Sequence, residues 1–243
     1  MTTVTLGRVI RSEWIKLTAL RSALLSYVSI AFALSLVAGI ALTLPGSTDD
    51  DCRDALLTLV IFVELLVGIT GVVAAAGEYS AGTIRSTLAA VPERRPVLAA
   101  KALVHGGLVL GLMAPAVAVA LAAGLVLAPE EIGSPADGEA LRGIVGSALV
   151  FALTCALGVA LGTLTRSTPA AIGILFCLMF LPVMVTVVPE VTAFLPGRAA
   201  QAVIGEGNPE AELLGGGVAA ATLVAWATGA LTAAAAALRR RDA

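Results

Sequence analysis

Six long apolar runs, near residues 23–44, 55–76, 103–127, 144–164, 169–188 and 215–238, set the terms on which this chain folds. Each is roughly 20 residues or a little more, the length a helix needs to cross a bilayer core of about 30 Å. Breaking the chain at these runs sorts its basic residues into two alternating sets. One holds Arg8, Arg11, Lys16, Arg21, Arg85, Arg94, Arg95, Lys101, Arg166, Arg239, Arg240 and Arg241; the other holds Arg53, Arg142 and Arg198. Lys and Arg near span ends stay on the cytoplasmic side, so the alternation fixes both the span count and the orientation. The expected fold is an all-α integral membrane protein with six transmembrane helices and both termini cytoplasmic.

Composition agrees. Apolar residues make up 58% of the chain and charged residues 13%, with a mean hydropathy of +0.99. A soluble domain carries about 25% charged residues. The net charge of −2 averages a basic inner face and an acidic outer one, where Asp49, Asp50, Asp51, Asp54, Glu130, Glu131, Asp137 and Glu139 fall. The first run is longer than a signal-peptide core, and Pro45, Gly46, Ser47 and Thr48 offer no clear cleavage site, so it is read as a retained span. Cys52, Cys155 and Cys177 show no paired spacing that implies a disulfide or metal framework.

Residues 5–21 read as an interfacial helix. Leu6, Val9, Ile10, Trp14, Leu17 and Leu20 share one helical face, and Arg8, Arg11, Ser12, Lys16 and Thr18 lie on or toward the other. Glu13 sits in the middle of the apolar face, and a carboxylate there wants a protein partner rather than lipid. At the other end of the chain's outer surface, 189–214 is too apolar for a free loop and too short to span. It reads as one or two short helices lying on or dipping into the outer leaflet. The connection 165–168 makes spans four and five an antiparallel hairpin, with Ser167 or Thr168 as cap and Pro169 in the first turn.

Two segments match GxxxG, from Gly107 to Gly111 and from Gly158 to Gly162. Small residues at that spacing allow close helix approach, although a chain this rich in Ala and Gly yields such matches by composition. Pro115 and Pro182 fall inside spans, where kinks are expected. Glu64 is the one acid within a span. It either lines a substrate path or packs as a neutral, hydrogen-bonded acid. The single histidine, His105, reads as structural, since a metal site wants company. The chain has no G-x-S-x-G elbow, and no Gly-Lys dipeptide and hence no phosphate loop, so an enzyme role is not expected. If ATP drives this protein, another chain supplies the site.

The most informative polar segment is the inner connection 77–101. Ser80 or Thr83 can start a short helix there and Pro92 can end it. Ile84, Leu88 and Val91 share a face, which suits a groove on a partner. Glu78 pairs with Arg85 or with a basic group of the neighbouring helix.

The run from Glu78 through Ser80, Gly82, Thr83, Ile84, Arg85, Leu88 and Pro92 to Arg94 and Arg95, closing on Lys101, resembles the inner loop of ABC transporter permeases of the type-2 exporter class. The stretch Ser12, Glu13, Trp14, Ile15, Lys16 and Leu17, followed by Arg21 and Ser22, resembles the interfacial helix of the same family, in particular of small six-span actinobacterial permeases. The resemblance implies one permease domain over 1–243 and a docking site for a separate ATPase subunit at Glu78, Ser80, Gly82, Thr83, Ile84, Arg85, Leu88 and Pro92. It implies an N-terminal helix carrying Glu13, Trp14, Lys16 and Arg21 near that dock. ATP and Mg belong to the partner, and no cofactor or metal is expected on this chain. The expected setting is a bacterial plasma membrane, with a second permease chain as a homodimer partner, the lipid bilayer around it and no nucleic acid. The expected activity is outward movement of a hydrophobic or amphipathic substrate such as a drug, antibiotic or lipid. The other reading of the residues is a polytopic transporter or assembly scaffold that works without ATP.

Overall fold

A computed structural model describes residues 5–19, 21–41, 49–91, 94–127, 139–184, 189–204 and 214–240. Among these the chain is helical throughout, with no strand. In order the helices are α1 (Leu6–Ala19), α2 (Arg21–Ala41), α3 (Asp49–Ser80), α4 (Ile84–Ala90), α5 (Arg94–Leu127), α6 (Glu139–Thr165), α7 (Thr168–Met184), α8 (Pro189–Thr192), α9 (Pro196–Ile204) and α10 (Gly216–Arg240).

Among the described residues four helical stretches are long and apolar enough to cross a membrane: Val60–Ser80, Arg94–Ala123, Gly143–Thr165 and Gly216–Arg240. Counting α1 with α2 as one bent span raises this to five, but the two meet at 81°. A bend that sharp suits a helix lying across the interface followed by an upright one. The apolar part of α7, Thr168–Pro182, is shorter than the other spans.

The helices outrun the hydropathy signal. α3 begins at Asp49, so Asp49 to Asp54, which precede the apolar run at 55–76, are helical. α5 begins at Arg94, and its 34 residues extend about 51 Å, well beyond the hydrocarbon core. The inner connection therefore contracts from 77–101 to a turn, the seven-residue α4 and a short link. Pro115 and Pro182 both lie within helices, as expected.

α6 is the central helix. In its apolar window 67% of residues are buried, against 22% in those of α5 and α10, and it packs on α3, α5 and α10. Glycines set the α3–α6 crossing. A Cβ on Gly71 would lie 2.2 Å from the Cys155 carbonyl oxygen, and one on Gly158 would lie 2.1 Å from that of Gly68. Gly162 faces the Val72 carbonyl at 2.8 Å in the same sense. Backbone meets backbone here, as small-residue spacing allows. The other GxxxG match behaves differently: nothing lies within 4 Å of a Cβ built on Gly107 or Gly111.

The described residues of the 189–214 segment hold two short helices, α8 and α9. α9 buries Ala199, Ala200 and Ala202 against Val150 of α6 and Ala219 and Leu223 of α10. Trp226 donates to the Phe194 carbonyl at 2.8 Å. Trp226 lies ten residues into α10, about 15 Å along it, so the segment before α9 lies beside α10 well past that helix's first turn.

Candidate functional site

At the basic end of the bundle four charges meet. Glu13 of α1 accepts from Lys16 through Oε1 at 2.6 Å and from Lys101 of α5 through Oε2 at 2.8 Å. Glu78, near the end of α3, accepts from both lysines through Oε1, at 3.0 Å from Lys16 and 2.9 Å from Lys101. Lys16 also donates to Thr87 Oγ1 of α4 at 3.1 Å. Two acids and two bases thus tie α1, α3, α4 and α5 together.

The local fold explains how these side chains arrive. Val9, Glu13 and Leu17 recur at i, i+4, i+8 and form the buried face of α1. Val9 packs with Val97 and Ala100 of α5, with Ile10 and Val91 beside them. The Glu13 carboxylate is carried into that contact, where its side chain is 2% exposed and that of Lys101 7%. Burial works against the charge on Glu13. The Lys101 ammonium, its hydrogen bond and those from Lys16 outweigh it and hold the carboxyl below its ordinary value. Burial likewise opposes the charge on Lys16, yet the bond to Glu13 and the charges of Glu78 and Glu13 raise its pKa.

The residues expected to form the dock divide into two faces. Gly82 takes φ +71°, the left-handed conformation that ends α3 and that a side chain would strain. Thr83 then caps α4, as expected, without a side-chain cap bond. Ile84 is buried. Ile84 and Leu88 border a small cleft against Ala75, Val97, Leu98 and Leu238 of the same chain. In the chain by itself the apolar face of α4, expected to meet a partner, lies against the ends of α3, α5 and α10. Those ends present unfilled apolar surface, and burying it locally satisfies the same hydrophobic drive. Ser80, Gly82, Thr83, Arg85, Ser86 and Ala89 are exposed. Glu78 pairs with Lys16 and Lys101, the neighbouring-helix alternative to Arg85. Pro92 lies outside the described residues.

Other contacts gather at this end. Arg94 Nη1 donates to the Leu238 carbonyl, linking α5 to the end of α10. Arg166, with φ 55° in the hairpin turn, lies 5.2 Å from the Tyr79 ring centroid. Members of the basic set from three separate segments, Lys16, Arg94 with Lys101, and Arg166, therefore share one end of the bundle. Of the interfacial residues, Trp14 is 46% exposed and Arg21 opens α2 on the surface.

Glu64 lies apart from this site. It is 2% exposed between α3 and α6, where Thr154 donates to its Oε1 at 2.7 Å. His105 pairs its Nδ1 with Tyr27 Oη at 2.7 Å, joining α5 to α2. Among the described residues no cluster of His, Cys, Asp and Glu is arranged to hold a metal. Cys155 and Cys177 are free thiols. Sequence reasoning missed Thr87 and the role of Lys101. The available signal was Glu13 itself, an acid on an apolar face that called for a basic partner.

An all-helical bundle with several membrane-length apolar helices and a charged network at one end defines a polytopic membrane protein. The ABC-2 family transporter protein description matches residues 61–243, three-quarters of the chain, and the chain belongs to that family. It is a membrane transporter component. No curated protein matches its sequence.

Proposed function

We propose that this chain is the permease subunit of an ATP-driven exporter, with ATP and Mg held by a separate ATPase subunit. The observation that carries the reading is the build of α4. Its inner face rests on the ends of α3, α5 and α10, Lys16 joins it to the charge network through Thr87, and its outer face is polar and exposed. A load applied to that outer face passes straight into the helix ends. The exposed set Ser80, Gly82, Thr83, Arg85, Ser86 and Ala89 is the docking surface, and Glu78, Ile84 and Leu88 transmit from beneath it.

In this reading six helices span a bacterial plasma membrane, α2, α3, α5, α6, α7 and α10, with both termini cytoplasmic. Two such chains pair around a path that opens outward. An aromatic ledge supports an apolar or amphipathic substrate. Phe176 and Phe180 of α7 stack at 4.7 Å and Phe62 of α3 meets Phe180 edge-on at 5.5 Å. Phe62 and Phe176 are about half exposed, and we assign them to the path wall.

Affinity purification of the full chain from its native membrane in mild detergent tests the assignment. The expected result is a stoichiometric ATP-hydrolysing subunit that is lost on Arg85→Glu with Ser86→Glu, while the permease still inserts. A chain that purifies alone, or an ATPase that binds the variant equally well, would overturn it.

A further inference from the structure

We propose that the groove between α1 and α5 is a binding site for one anionic phospholipid of the cytoplasmic leaflet. The groove has a volume of about 460 Å³ and is lined by Ile10 and Trp14 of α1 and by Leu103, Val104, Gly107, Leu108, Gly111 and Leu112 of α5. That volume is within the range of clefts that hold small molecules, about 300–1,000 Å³. Gly107 and Gly111 form its floor. The space above them is open, since a Cβ there would meet nothing within 4 Å. The walls are apolar and suit an acyl chain.

Charge selects the occupant. Glu13 is the single acid of α1, and it is buried and matched by Lys16 and Lys101. The charges that α1 shows to its surroundings are therefore basic. Arg8 and Arg11 are exposed. Arg11 is outside the groove's lining, but it precedes Trp14 by three residues, and helical spacing sets it beside Trp14 at the groove's edge. Trp14 and Ile15 are 46% and 55% exposed, an apolar edge at the depth where an indole sits among headgroups. An acyl chain over the glycines and an anionic headgroup against Arg11 complement all of these features at once. The proposal rests on the cytoplasmic placement of α1 in the reading above and stands apart from ATP coupling.

Brominated lipids quench tryptophan on contact and supply the test. The full chain and a Trp14→Phe variant are reconstituted in phosphatidylcholine vesicles containing either dibrominated phosphatidylglycerol or dibrominated phosphatidylcholine at equal share. The difference between the two proteins isolates Trp14 from Trp226. The expected result is an apparent affinity about fivefold higher for phosphatidylglycerol, the preference one arginine near an anionic surface supplies. Arg11→Gln, an exposed change, should bring the ratio to about one with quenching retained. Gly107→Leu with Gly111→Leu should lower quenching by both lipids. Equal quenching of the wild-type chain by both lipids would overturn the proposal. So would quenching by neither, the result that a second copy of the chain covering the groove would give.

Discussion

The basic end of the bundle and its centre are held by opposite means. At the centre, α3 and α6 touch through glycines, with a hydrogen bond from Thr154 to Glu64 beside them. At the basic end, four charged side chains do the joining. Close backbone packing has one good geometry and resists sliding. Ion pairs among long side chains can be remade with other partners when a load is applied. The contrast suits a transporter component with a rigid middle and an adjustable basic end.

The comparison breaks most clearly when one charge is removed. Neutralising Lys101 as Lys101→Met leaves Glu13 buried with half of its network. Breaking a buried pair costs about 3–5 kcal/mol, and thermal denaturation in detergent should show the largest drop of any single change here. Next in size is Gly158→Leu, which forces α6 away from the Gly68 carbonyl. Overpacking of that kind costs about 1–3 kcal/mol. It should slow or block assembly of the spans while leaving the Glu13 network able to form, as read by cross-linking of α1 to α5 through introduced cysteines.

Gly82→Val strains the left-handed turn by about 1–2 kcal/mol. Its effect should fall on α4, with faster amide exchange over 83–90 and little change in overall stability. Unchanged exchange there would separate the turn from α4. The smallest expected effect is that of Glu64→Gln, which keeps an acceptor for Thr154 and should leave stability within about 0.5 kcal/mol. Unaltered transport in that variant would identify Glu64 as a packing residue, and lost transport would return it to the substrate path.

The network should also set a pH window. The lowered carboxyl of Glu13 contributes in full above its ordinary value of 4.5 and less as pH falls through its folded value. The raised ammonium of Lys16 contributes in full below 10.5 and less as pH climbs through its folded value. A stability profile that is flat between these limits in the wild-type chain, with an acid limb that weakens in Lys101→Met, would confirm the source.

The sequence announced some of this and hid the rest for physical reasons. Hydropathy located the apolar runs, but it reports where a helix crosses a bilayer and not how far it continues. The polar ends of α3 and α5 were consequently read as loop. Two GxxxG matches looked alike on paper. Gly158 and Gly162 meet α3, whereas Gly107 and Gly111 line an open groove, because spacing names a smooth face without naming its neighbour. Glu13 declared that it needed a partner. Lys101 lies 88 residues away, beyond any local pattern. The apolar face of α4 was legible from Ile84, Leu88 and Val91, but its direction depended on helix ends brought together by the fold.

A double-mutant cycle on Glu13→Gln and Lys101→Met in the full chain tests directly whether the four charges act as one unit. The account predicts strong coupling, toward the upper part of the roughly 0.5–3 kcal/mol seen for residues in one network. Additive losses, within about 0.5 kcal/mol, would show the two side chains to be independent and contradict it.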